Sequence, residues 1–419
     1  MLGGTSQDIV QPKLWLQVIG TLLISFVFLK ASISEVFQKS PYISILIICT
    51  IFLHLLYLLP LPPFIWSNLP GRDIIETGFN AANLSLPWQP LSLAPDRTLS
   101  GFLSLIPALA VYLVTICLAS KIEIEIAINA FLIFAVITVG LGLFQVSGAE
   151  PLLYFYDETN PGAPVAFFSN VNHQATLLLM AIPFAISMLN MKDWRAGEPK
   201  RSFVLSVAVT LILTIGLMLN GSMAGYLLLL PALGLSFWLL IVRGKINLVW
   251  MGVVAAPFIM FLAIDAFLLN PIGADIRNTI LDQSSVSRSQ IFAGTMDAIY
   301  YFFPIGTGPG TFSLVYPLFE NIDHVTSTYA PQAHNEYLQV VLEFGLLGGI
   351  LMMAFIWWWF KSFGAYANSH HNRLARCAII ATLLVMVHST VDYPLRTIAI
   401  STMFSFCVAL IVRSQFENQ

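Results

Sequence analysis

Long apolar stretches with almost no charge recur along this chain from end to end, and each is long enough to be a membrane helix, since crossing a hydrocarbon core takes about 20 apolar residues. They fall at about 14–31, 42–61, 100–119, 124–146, 173–190, 203–219, 223–242, 248–269, 335–360, 374–391 and 398–412. The pattern predicts an all-α polytopic membrane protein of about 11–12 transmembrane helices. No separate soluble domain is expected, so residues 1–419 form a single membrane domain. An additional helix near 62–98 would reverse the side of the amino terminus, which the counting otherwise places outside.

Cytoplasmic loops collect Lys and Arg. The stretch Lys192 to Arg201 therefore anchors one side as cytoplasmic, and alternation sets the rest. Three connections on the opposite side, about 62–99, 147–172 and 270–334, are long, and long connections are usually functional. The last is expected to be partly helical. The basic residues assigned outside are Lys13, Arg72, Arg97, Arg277, Arg288 and Arg396.

Composition agrees with this picture. Hydrophobic residues make up 57% of the chain and charged residues only 10%, too few charges to clothe a soluble protein of this length. The net charge of −3 and the lack of a basic run exclude a nucleic-acid footprint. Cys49, Cys117, Cys377 and Cys407 lie in apolar stretches without CxxC spacing, which implies neither zinc nor a disulfide framework.

Candidate chemistry gathers on the outer side. Arginine there suits an anion gripped by a planar fork; pairing with outer acids is the plainer reading. From Arg288, residues Ile291, Phe292, Met296 and Ile299 recur at helical spacing, which puts Arg288 on the apolar face. Its partner is then either an internal acid, Asp297 or Glu336, or a lipid-linked phosphate. His334, Asn335 and Glu336 stand where the large loop enters the next helix, and a helix start disfavours a protonated imidazole. Asn170, Asn172 and His173 enter the fifth helix from the same side. Val391 to Arg396 forms a short outer turn after His388 that could add a cation and a carboxylate to a shared cavity, though an Asp392–Arg396 pair is the plainer reading. Glu343 is a carboxylate at membrane depth. Gly306 to Gly310 lacks the Lys-Ser/Thr ending of a phosphate loop and reads as a tight turn. Discontinuous helices, a mark of transporters, are not evident.

Arg288, the run Pro304 to Phe312, Ala333 to Leu338 and Glu343 to Gly348 together resemble the signature region of the O-antigen ligase/polymerase superfamily. Asn170 to Ala175 resembles its Asn-x-Asn-His element, and Val391 to Thr397 a turn of exopolysaccharide members. Met223 stands where many relatives carry an arginine. The resemblance implies a GT-C-like glycosyltransferase of the bacterial inner membrane that takes a glycan from undecaprenyl diphosphate on the periplasmic side. The acceptor would be a second lipid-linked glycan or lipid A core, with a slight preference for a polymerase. Protein glycosylation and, from another class, a glycan flippase are the alternatives. It further implies His334 as proton acceptor, Arg288, Arg277 and Arg396 for the diphosphate, and Asn170, Asn172, His173, Asn335 and Glu336 for substrate. No metal or other cofactor is expected.

Overall fold

A computed structural model describes residues 3–6, 10–147, 153–157, 159–188, 199–241, 288–321, 330–367 and 372–416. The expected span at 248–269 and Arg277 lie outside them. The main helices are α1 (Val10–Lys30), α2 (Pro41–Leu58), α3 (Pro95–Leu103), α4 (Ile106–Cys117), α5 (Lys121–Val146) and α6 (Val171–Ser187). They continue with α7 (Pro199–Leu219), α8 (Met223–Ile241), α9 (Arg288–Phe302), α10 (Glu336–Ala367), α11 (Arg373–His388) and α12 (Ile398–Phe416). Among the described residues, six helical stretches are long and apolar enough to cross a membrane, and three shorter apolar helices accompany them.

Boundaries follow local chemistry. Ser120 and Glu123 close a capping box, so α5 begins ahead of its apolar run, at Lys121. The stretch expected as one helix over 100–119 is two, α3 and α4, divided just before Pro107, whose ring removes a backbone donor. Between 62 and 98 the chain forms short helices at Pro63–Trp66 and Asp73–Ala81. A two-stranded ladder pairs Pro60 with Pro90 and Leu61 with Gln89. That segment contains no further span. In keeping with this, the amino-terminal tail packs where α6 and α12 begin: Ser169 N–H bonds to the Gly4 carbonyl at 3.1 Å and Ala399 N–H to the Gly3 carbonyl at 3.0 Å.

The centre of the bundle is α6, whose residues from Asn172 to Ser187 are all buried. It packs against α5, α7, α8 and α11. A helix apolar on every side is buried in protein or in lipid, and α1 shows the second case, with Trp15, Leu22 and Leu29 exposed. A smaller core joins α9 to the start of α10 through Ile291, Phe302, Phe312, Tyr316 and Leu342.

One helix is broken, contrary to the sequence expectation. Gly345 in α10 has φ 58° and ψ −147°, outside helical values. The turn 304–310 fills the break. Thr307 N–H bonds to the Leu342 carbonyl at 3.0 Å, Gly308 N–H to the Glu343 carbonyl at 2.8 Å, and Leu346 N–H to the Pro304 carbonyl at 2.9 Å. Backbone polar groups at membrane depth need such partners. Protein thus satisfies the backbone groups that the break frees. The tight turn expected at Gly306–Gly310 is therefore also the plug of a helix. Buried Arg72 holds it from the far side, donating to the carbonyls of Leu91 at 2.7 Å and Gly306 at 3.2 Å.

Candidate functional site

The starts of α6, α10 and α12 and the turn 389–397 meet on one face of the bundle. His334 immediately precedes the N-cap of α10. Its φ of 50° is in the left-handed region, a conformation costing a side-chain-bearing residue about 1–2 kcal/mol. Such a residue persists where its surroundings fix it, often at functional positions. Asn335 caps the helix, its Oδ1 accepting Leu338 N–H at 3.0 Å while its Nδ2 donates to the Thr390 carbonyl at 3.0 Å.

The turn after α11 supplies the partner. His334 Nδ1 stands 3.3 Å from Asp392 Oδ1. That is an ion-pair distance lacking the angle of a hydrogen bond, and neither Asp392 oxygen has a hydrogen-bond donor among the described residues. Asp392 is wholly buried. Burial raises its carboxyl, but the His334 contact and the neighbouring imidazoles of His173 and His388 outweigh it, holding the group below the usual carboxylate range. Tyr393 lies between two imidazoles, edge-on to His334 at 4.9 Å and to His173 at 5.2 Å between ring centroids. His388 Nδ1 is 2.9 Å from Thr176 Oγ1.

Of the residues singled out in the sequence, those on α6 divide in use. Asn170 caps the helix through Asn172 N–H at 2.8 Å, and Asn172 Oδ1 accepts Ser222 Oγ–H at 2.7 Å, so both are engaged in holding α6 and α8. His173 is buried with no hydrogen bond to either ring nitrogen among the described residues. Glu336 accepts Ser389 Oγ–H at 2.9 Å and Leu395 N–H at 2.7 Å, pinning the turn to α10.

Two expected pairings are replaced. Arg396 does not pair with Asp392, because the 3-10 turn at Pro394–Arg396 carries it towards α10, where its Nη1 donates to Glu343 Oε2 at 2.9 Å. Asp392 turns to His334 instead. Arg288 is exposed, not buried on the apolar face; Ile291 and Ile299 carry that face inward, and Arg288, as the first residue of α9, projects beyond it. It is paired with neither Asp297 nor Glu336.

A cavity of about 700 Å³ opens beside this cluster. Apolar side chains of α2, α4, α10 and α12, among them Ile47, Leu109, Leu351 and Phe404, form its walls. Its polar end holds Arg97, Glu336, Glu343 and Arg396. His334 and Asp392 are outside the lining, which includes their close neighbours in the chain, Glu336 and Leu395. Among the described residues no group of His, Cys, Asp and Glu side chains has the arrangement of a metal site.

Sequence reasoning alone did not connect Asp392 with His334. The signal was a carboxylate in the short outer turn after His388, on the same side of the membrane as His334. Met223, where the resemblance leads one to expect an arginine, is the half-buried first residue of α8.

No curated protein matches the chain. A family model described as O-antigen ligase matches residues 208–353, a stretch that runs from α7 through the break in α10 and takes in Arg288, the plug turn, His334 and Glu343. Over that stretch, about a third of the chain, this multi-pass membrane protein is similar to the O-antigen ligase family.

Proposed function

We propose that the protein is a glycosyltransferase of bacterial surface-polysaccharide assembly that moves a glycan from undecaprenyl diphosphate to a sugar hydroxyl at the periplasmic side of the inner membrane. The carrying observation is His334 held against buried Asp392 at the edge of an apolar cavity with arginine at its polar end. The acceptor is a second lipid-linked glycan, as in polymerases, on the likeness of the turn 391–397 to exopolysaccharide members.

Asp392 faces Nδ1 of His334, which leaves Nε2 for the acceptor. A carboxylate at Nδ1 favours the tautomer with a free Nε2 lone pair and steadies the imidazolium that forms. The acceptor oxygen attacks the anomeric carbon as its proton passes to His334. The bond from that carbon to the diphosphate oxygen breaks, and the diphosphate leaves on its lipid carrying the electron pair. Arginines meet the charge that develops there. Arg396 borders the cavity and Arg288 is free to reach a headgroup from outside; Arg277 is the third candidate from the sequence. Asn170, Asn172, His173, Asn335 and Glu336 shape the surroundings. The apolar walls suit the isoprenoid.

The test is a purified enzyme given lipid-linked repeat units, with products read by mass spectrometry. Chain extension on the carrier is expected. Transfer only to lipid A core would make it a ligase. In cells, loss of a polymerase leaves single repeat units on the carrier, whereas loss of a ligase strands long chains. Glycan crossing the bilayer without any new glycosidic bond would replace the enzyme by a flippase.

A further inference from the structure

Gln339 and Glu343 are both completely buried, four residues apart on one face of α10 before its break. Buried polar groups in a membrane helix are costly and are usually retained for function. Their hydrogen bonds form a continuous line. Ala333, next to His334, donates its N–H to Gln339 Oε1 at 3.0 Å. Gln339 Nε2 donates to Glu343 Oε1 at 2.9 Å, and Glu343 Oε2 receives Arg396 Nη1 at 2.9 Å. Gln339 Nε2 also donates to Gln332. Every polar atom of the two side chains is used.

The line runs from the loop that presents the proton acceptor to the arginine on the cavity wall. An arginine has five N–H donors, and Glu343 takes one at Nη1 of Arg396 while the residue remains part of the cavity lining. We propose that Gln339 and Glu343 are positioning residues, a strut that sets the distance between the His334 loop and Arg396 and fixes which guanidinium edge faces the cavity. This rests on the function proposed above. Neither residue touches the reacting atoms. Their effect is therefore on the transition state, where both ends of the strut act together, more than on the binding of lipid, which the apolar walls supply. Misplacing catalytic groups by about 1 Å is enough to lower a rate about a hundredfold.

The test compares Gln339→Met, which keeps shape and removes the line, and Glu343→Gln, which leaves one carbonyl oxygen for two donors. Rates are expressed per folded molecule, from thermal melts and size exclusion in detergent. Both variants are expected to lose about tenfold or more in kcat, with KM for lipid-linked donor within about threefold of the parent. Arg396→Gln, which removes the guanidinium itself, is expected to lower kcat at least as far as either strut variant. If Gln339→Met does not fold, Gln339→Asn serves, since its amide is too short to reach both partners. A kcat per folded molecule within about twofold of the parent for both positions overturns the strut and leaves only packing. His334→Ala separates the two levels. If it remains active, the proposed function falls; if it is inactive while the strut variants are normal, only this inference falls.

Discussion

His334 precedes α10 and Asp392 follows α11, some sixty residues on, yet Nδ1 of one stands 3.3 Å from Oδ1 of the other, with the carboxylate fully buried and the imidazole partly open. The left-handed backbone of His334 and the capping of α10 by Asn335 bring them together. An acid buried behind a histidine is the arrangement that orients a base. Asp392→Asn is expected to lower kcat by about a hundredfold or more while leaving KM for donor nearly unchanged. Groups that act as a unit are not additive, so His334→Ala combined with Asp392→Asn should be no slower than His334→Ala alone. Additive losses in that kinetic cycle would separate the two residues.

The same carboxylate carries a pH signature. Its pKa is held below the ordinary value, with the push from burial outweighed by the three imidazoles. A depressed folded-state pKa means stability that is present above the unfolded value of about 3.9 and lost as pH falls towards the folded value. Lowering pH from about 5 to about 3 should therefore reduce the parent's melting temperature more steeply than that of Asp392→Asn. Parallel curves would contradict the depressed pKa.

Arg288 and Arg396 differ in how they are held, and lysine replacement exposes the difference. Lysine keeps charge but loses the planar fork. At exposed Arg288, Lys should lower turnover about tenfold, equivalent to about 1.4 kcal/mol, without changing the melting temperature. At Arg396, Lys should also lower the melting temperature, because Glu343 loses its fixed partner. Normal turnover in Arg288→Lys would remove that residue from the diphosphate.

How much of this was legible in the sequence depended on range. Spans of one helix were readable because apolar length and charge at the ends are local properties, and α5 departs from its expected start only by the residues its Ser120 cap adds. His334 and Asn335 were readable because a polar cluster at a helix entry is local too. What sequence did not show was set by contacts between distant segments. Arg396 chose Glu343 over its neighbour Asp392 because of the direction of one turn. The break at Gly345 exists because a turn some forty residues earlier supplies its hydrogen bonds, and no periodicity within α10 records that.

Sidedness is open to direct labelling. Asn160 is exposed on the connection before α6, on the face of the site, and Ser34 is exposed between α1 and α2 at the other end. In a background lacking the four native cysteines, Asn160→Cys should react with an impermeant thiol reagent from the periplasm, and Ser34→Cys only after the membrane is opened. The reverse result would put the site in the cytoplasm and remove the proposed donor orientation.

Gly345 tests whether the break in α10 is built in. A Cβ added there would lie 2.0 Å from the Pro304 carbonyl oxygen and 2.6 Å from the Ile305 carbonyl carbon, both backbone atoms that cannot turn aside. Its positive φ is also one that alanine rarely adopts. Gly345→Ala must therefore either displace the plug turn or straighten the helix. Displacing the turn strips the Leu342 and Glu343 carbonyls of the Thr307 and Gly308 N–H groups, at about 1–3 kcal/mol for each buried acceptor left alone. Straightening α10 would rotate Glu343 relative to the half of the helix beyond the break and disturb its pair with Arg396. Gly349→Ala, four residues on, is the control, since its added Cβ meets nothing nearer than Val341 at 3.8 Å, and alanine favours a helix. Thermal melts in detergent should show Gly345→Ala strongly destabilised and Gly349→Ala equal to the parent or slightly better. If Gly345→Ala melts with the parent, α10 runs straight and the plugged break is wrong.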